Sequence, residues 1–282
     1  LKNGAKCCAS FMPDCPLTCV DLWSKAGSVF ERPSEKGMAH FLEHMIFKGS
    51  SKLKEGEFDQ KIEACGGSSN AATGFDDVHF YVLIPPNQLA NTIDLLSNLV
   101  LTPTINSKAF LSEREVVLEE IAQSDDQPDE RIFQKLLAHC WYDHPYGKSI
   151  LGNKGSVRSI TPEKMKIFHK RNYSSENLTL SIAGNIPSNL EDVIKNSQFS
   201  QSIKTDKTDK TNQNNGNEIF NAGYVEIKAK RIEFARILIA WPLPPAKKQE
   251  FIFGADIATT LLAEGRRSRL VAHIRENLNI VD

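Results

Sequence analysis

The 282-residue chain has no run of 18 apolar residues, and its mean hydropathy is −0.33, so no membrane-spanning helix is expected. It has no excess of charge of either sign. With 34 Lys and Arg against 35 Asp and Glu the net charge is −1, and no overall field draws the chain to nucleic acid or an anionic membrane surface. Cysteine is scarce and unevenly placed: Cys7, Cys8, Cys15, Cys19, Cys65 and Cys140 do not make a secreted disulfide framework. Cys15-x-x-x-Cys19 has no second Cys/His pair nearby to complete a zinc knuckle. Free thiols are expected, and with them a soluble protein of a reducing compartment, bacterial cytoplasm or organelle matrix. The chain opens on Leu1, so any targeting segment would lie upstream of it.

What remains is ordinary globular material, 40% hydrophobic and 24% charged, enough for a sizeable core. Two β-rich runs fill Ala5 to Trp23 around the turn signal Met12-Pro13-Asp14-Cys15-Pro16. Helical patterns follow at Gly37–Lys48 and Glu55–Cys65, the second stopped by Gly66-Gly67. Strands are predicted at Ser68–Thr73 and Val78–Ile84. Helices are predicted at Asn87–Leu101, Ser107–Gln123, Asp129–Tyr142 and Pro162–Tyr173, with a closing strand at Asn177–Ala183. Strands in groups and helices in groups indicate an α+β fold, a mixed and mostly antiparallel sheet covered by helices.

From Ser197 the composition turns polar and repetitive (SQFSQSIKTDKTDKTNQNNGNE), which reads as a flexible linker. The chain is therefore divided into a first α+β domain at 1–196, a linker at 197–218 and a second unit at 219–282. Strand-like runs at Tyr224–Ile227 and Phe234–Trp241, a helix from Lys247 to Ala263 and another from near Ser268 make that unit the start of a second, incomplete α+β domain.

The chemistry concentrates in His40-Phe41-Leu42-Glu43-His44. On a helix these spacings project both imidazoles and the carboxylate from one face. Two neutral imidazoles can fill two corners of a zinc tetrahedron, and the carboxylate between them can reach a metal-bound water. A third protein ligand is sought in Glu113-Arg114-Glu115-Val116-Val117-Leu118-Glu119-Glu120-Ile121. There Glu113, Val116, Val117 and Glu120 fall on one apolar, inward stripe. Carboxylates pointing into a core need a partner or a metal, which singles out Glu113 and Glu120 over the solvated Glu115 and Glu119.

H-x-x-E-H followed 76 residues later by a Glu within E-R-x-V-V-L-x-E resembles the pitrilysin-type zinc metallopeptidases, the group of insulin-degrading enzymes and mitochondrial processing peptidases. GGSSNAATGFD, His144-Pro145-Tyr146-Gly147, Trp241-Pro242-Leu243-Pro244 and Ser268-Arg269-Leu270 add to the likeness. The resemblance implies one zinc per chain held by His40, His44 and Glu120, with Glu43 as general base and Glu113 as an additional catalytic acid orienting a ligand. It implies that Asn70 and Ala71 lie on an edge strand that takes the substrate backbone as an added strand. It further implies a peptide or unfolded polypeptide substrate, and a dimer or two-half clamshell with a homologous domain. The alternative is an inactive peptide-binding subunit beside a catalytic partner. Two features depart from the family pattern. Ala263-Glu264-Gly265-Arg266-Arg267 has a single glycine where a glycine-rich stretch is usual, and Asp282 comes before any match to the second domain's Arg and Tyr.

Overall fold

A computed structural model describes residues 1–201, 220–228 and 235–281. The first 201 residues build one mixed sheet with its helices. Strands β1 (Lys6–Phe11), β2 (Thr18–Ser24), β3 (Ser68–Thr73), β4 (Val78–Ile84) and β5 (Leu178–Gly184) lie in the order β1-β5-β2-β4-β3. Only β1 and β5 run parallel; the other pairs are antiparallel. Burial alternates along β2, β4 and β5, so Val20, Leu22, Phe80, Val82, Leu180 and Ile182 share one dry face. Among the described residues β3 pairs only with β4, and it carries the small polar text SSNAAT, which suits an edge.

Helices α1 (Met38–Ile46), α2 (Glu57–Ala64), α3 (Leu89–Leu101), α4 (Ser107–Asp126), α5 (Pro128–Cys140), α6 (Lys154–Ser159), α7 (Pro162–Asn172) and α8 (Leu190–Asn196) complete this part. The α1 helix is amphipathic, with Met38, Phe41, Leu42, Met45 and Ile46 fully buried at helical spacing. Phe41 meets Phe110 of α4 with ring centroids 4.7 Å apart, which fixes how the two helices approach. Burying each such ring is worth about 1.5–3 kcal/mol, so this approach is strongly determined. The α6 and α8 helices were not foreseen; α6 has one bulky apolar residue, and α8, with Leu190, Val193 and Ile194 at helical spacing, is only seven residues long.

The chain divides into two compact units, Leu1–Ala235 and Arg236–Asp282. Of the linker expected at 197–218, residues 202–218 lie outside the described ones, while Gln198–Gln201 form a 3-10 turn with Phe199 buried in the core of the first unit. Asn221 N–H donates to the Cys140 carbonyl at 2.9 Å and Phe220 packs edge-on against Trp141, so 220–223 hold to α5 within the first unit. The strand expected at Tyr224–Ile227 is not formed. Nor is the described part of Phe234–Trp241, residues 235–241, a strand; Phe234 lies outside the described residues. A strand needs a neighbour for its ladder, and among the described residues neither run has one. Tyr224, Ile237, Ile239 and Trp241 accordingly stay exposed. The second unit contains α9 (Gln249–Ala263) and a π-helical turn at Val271–Asn277.

Candidate metal centre

The α1 and α4 helices bring the predicted ligands together. The His40 Nε2 lies 3.5 Å and the His44 Nε2 3.6 Å from the same Glu120 oxygen. One ligand atom from each of the three residues falls within 4.8 Å of the others, the one such cluster among the described residues. Zinc bonds of about 2.0–2.1 Å in a tetrahedron set ligand atoms about 3.3 Å apart, and the two nitrogen-to-oxygen separations here are close to that, so the N, N, O donor set suits the ion. Burial, helped by His44, holds His40 down at about 4, neutral as a ligand must be. Glu120 is 41% exposed at its side chain, which leaves a solvent-facing side for an open coordination position.

His44 is aligned from behind. Its Nδ1 lies 2.9 Å from Glu113, and Lys48 Nζ reaches the other Glu113 oxygen at 2.7 Å. An ionised Glu113 accepts, so Nδ1 carries the hydrogen and the Nε2 lone pair points at the site. Burial pushes Glu113 up, but the hydrogen bonds from Lys48 and His44 outweigh it and hold the carboxyl below its usual range. Glu113 thus reaches the site through His44. Lys48 was not foreseen: it lies just beyond the end of α1 and meets Glu113 across a long stretch of sequence.

Glu43 is half-buried beside His44 and Glu120. Burial raises its pKa, opposed by a hydrogen bond from the Thr73 hydroxyl. Thr73 is the last residue of β3 and another contact the sequence did not announce; it ties the edge strand to α1. On the same strand Asn70 is exposed and Ala71 half-buried. Ala71 N–H is taken by the Asn70 side-chain oxygen at 2.9 Å.

One expected placement fails. Val116, assigned to the inward stripe with Glu113 and Glu120, is 48% exposed. At about 100° per residue the buried stripe of α4 centres on Phe110, Val117 and Ile121, and Val116 falls about 120° from that centre. Glu113 and Glu120 stand at the stripe's margin, where a carboxylate can reach the cleft without entering the core. Glu115 and Glu119 are exposed as expected. The acidic residues near the site are mostly engaged: Glu55 pairs with Lys48, Glu57 with Lys61, and Asp76 accepts from the Tyr146 hydroxyl at 2.7 Å. All six cysteines are free, with only Cys140 buried, and no described helix is long and apolar enough to cross a membrane.

Two family models cover nearly the whole chain. Residues 15–154 match insulinase, peptidase family M16, and residues 159–282 match the peptidase M16 inactive domain. An uncharacterised zinc protease of Rickettsia felis is 29% identical over an alignment of 285 residues, covering 99% of this chain and 66% of that protein. The beta subunit of the Neurospora crassa mitochondrial-processing peptidase is 30% identical over 187 residues, covering 66% of this chain and 39% of that one. The crystal structure of a protease from Helicobacter pylori superposes with a TM-score of 0.84 at 24% identity, covering 99% of this chain and 68% of that one. The chain spans about two thirds of the length of the Rickettsia relative.

Proposed function

The chain belongs to the insulinase peptidase family M16, and from that premise we propose that it carries the catalytic site of a zinc metalloendopeptidase acting on peptides or unfolded polypeptide segments. The observation that carries this reading is the meeting of His40, His44 and Glu120 in one cluster with a second carboxylate, Glu43, beside them. His40, His44 and Glu120 would hold one zinc per chain. Bound there, zinc lowers the pKa of its water toward about 7 and polarises a scissile carbonyl.

The rest is done by the chain's own groups. Glu43 takes the proton of the attacking water and returns it to the leaving amine. Burial raises its pKa, which favours its taking a proton. Thr73 donates to one Glu43 oxygen and so orients the other. Glu113 and Lys48 keep His44 aligned. The free edge of β3 takes the substrate backbone as an added strand, with Asn70 and Ala71 as its contacts. In support, the Ala71 N–H is held by its own neighbour's side chain, a partner that an incoming carbonyl can replace. A homologous half, in the same chain or a second subunit, closes over the substrate.

The test is Glu43→Gln with unstructured peptides as substrate. Zinc should be retained while turnover falls by about 10²- to 10⁴-fold. Removing the metal with a chelator should abolish cleavage, and adding zinc back should restore it. A Glu43→Gln variant cleaving near the wild-type rate refutes the role given to Glu43.

A further inference from the structure

The two imidazoles of the site are held in different ways. His44 is fixed at Nδ1 by Glu113, whereas His40 Nδ1 is buried with no hydrogen-bond partner among the described residues. The His40 ring therefore takes its direction from packing and from the backbone that carries it. That backbone is the first turn of α1, which starts at Gly37 in the left-handed region (φ 84°) and has no side-chain cap of its own. The first N–H groups of a helix need acceptors from elsewhere.

Glu31 supplies them. Its Oε2 accepts from Gly37 N–H at 3.0 Å and its Oε1 from Ala39 N–H at 2.8 Å, Ala39 being the residue before His40. Both carboxyl oxygens are used, one on each side of the turn, in the manner of an anion at a helix N-terminus. Burial pushes Glu31 up to about 8 against these donors, and either protonation state keeps a lone pair on each oxygen toward the N–H groups.

Glu31 is itself anchored. The Phe30 carbonyl accepts from Arg171 Nη2 at 3.2 Å, and Arg171 also forks Glu35 at 2.7 and 3.2 Å. On the far side the Gly37 turn is pressed against the Leu151 backbone, where even a Cβ would come to 2.5 Å from the carbonyl oxygen. The first turn of α1 is thus clamped between the 30–35 loop and residue 151.

We propose that Glu31 is a positioning residue for His40, setting the direction of the imidazole through the first-turn N–H groups of α1 as Glu113 sets that of His44 through its side chain. The proposal rests on His40 being a metal ligand.

The experiment measures metal affinity in Glu31→Gln and Glu31→Asp, with zinc by chelator competition and with Co²⁺ by its visible ligand-field bands. His40→Ala and Asn153→Ala, which removes the cap of α6, run beside them. Gln keeps the size of Glu but turns an NH₂ group toward one of the two N–H donors. Asp keeps the charge on a shorter arm. Glu31→Gln should bind zinc about tenfold more weakly and shift the cobalt bands, Glu31→Asp should fall between it and wild type, and Asn153→Ala should change neither. A folded Glu31→Gln with wild-type affinity and an unchanged cobalt spectrum overturns the proposal. If that variant does not fold, an unchanged affinity and spectrum in Glu31→Asp overturns it instead. Wild type that binds no zinc, or His40→Ala that binds it normally, removes the metal-site reading itself and is told apart by those controls.

Discussion

The two compact units treat their apolar residues in opposite ways. In the first, Phe41, Phe80, Phe110, Phe168 and Phe199 are all fully buried around the sheet. In the second, Phe251, Phe253, Ile257 and Leu261 of α9 are each about 60% exposed, and among its described residues only Ser268 is buried. Every side chain of the candidate metal centre comes from the first kind of surroundings. The difference teaches where precision is available: His40, His44 and Glu120 meet because they hang on helices whose other faces are locked in a core. The second unit has no comparable scaffold among its described residues.

The sharpest way to break this contrast is by stability. Phe80→Ala should cost the first unit about 3–5 kcal/mol, from lost burial and the cavity left behind. Phe253→Ala should change stability by no more than about 0.5 kcal/mol, because it removes little buried area. Denaturant unfolding followed by tryptophan fluorescence compares the two. A cost at Phe253 equal to that at Phe80 would mean that α9 is packed as firmly as β4.

A smaller effect is expected inside the first unit at the junction of sheet and helix. Thr73→Val removes the hydroxyl that donates to Glu43 while keeping the shape of the side chain. Losing one donor to a charged group costs about 1.5–3 kcal/mol, so turnover should fall by about tenfold or somewhat more, with zinc retained. The acid limb of the pH–rate profile should move upward, since the hydrogen bond that opposes burial at Glu43 is gone. Rates and pH profiles unchanged from wild type would detach β3 from the proton-transfer step.

The mildest test is of acid stability. Burial raises Glu35, but hydrogen bonds from Arg171 and Arg32 outweigh it and hold the carboxyl below its ordinary value of 4.5. A depressed folded pKa means that the pair's contribution is present above about pH 4.5 and is lost as pH falls through the lowered value. The unfolding midpoint of wild type should therefore drop below pH 4.5. Glu35→Gln, destabilised from the start, should lose less over the same range. Parallel acid curves for the two proteins would contradict the assignment.

How far these features could be read in the sequence depended on whether a residue's role is local. β3 and β4 were legible at their ends because Gly66-Gly67 stops the helix before β3 and Pro85-Pro86 ends the β-rich run of β4. His40, Glu43 and His44 were legible because one helical turn joins them, and Glu120 because a carboxylate near an apolar stripe needs a reason. Val116 was placed wrongly since a stripe read from four positions does not show where its centre lies. Thr73, Lys48 and Glu31 act across gaps that only the fold closes; Thr73 meets Glu43 across 30 residues of sequence. The runs at 224–227 and 235–241 have strand composition, but composition does not supply a neighbouring strand.

The most direct measurement is zinc content per chain in wild type, His44→Ala, Glu120→Ala and, from the second unit, Leu261→Ser. One zinc in wild type and in Leu261→Ser, with loss in the other two, is the predicted result and would place the metal centre wholly in the first unit. A folded wild type without zinc, or loss of the metal in Leu261→Ser, would contradict it.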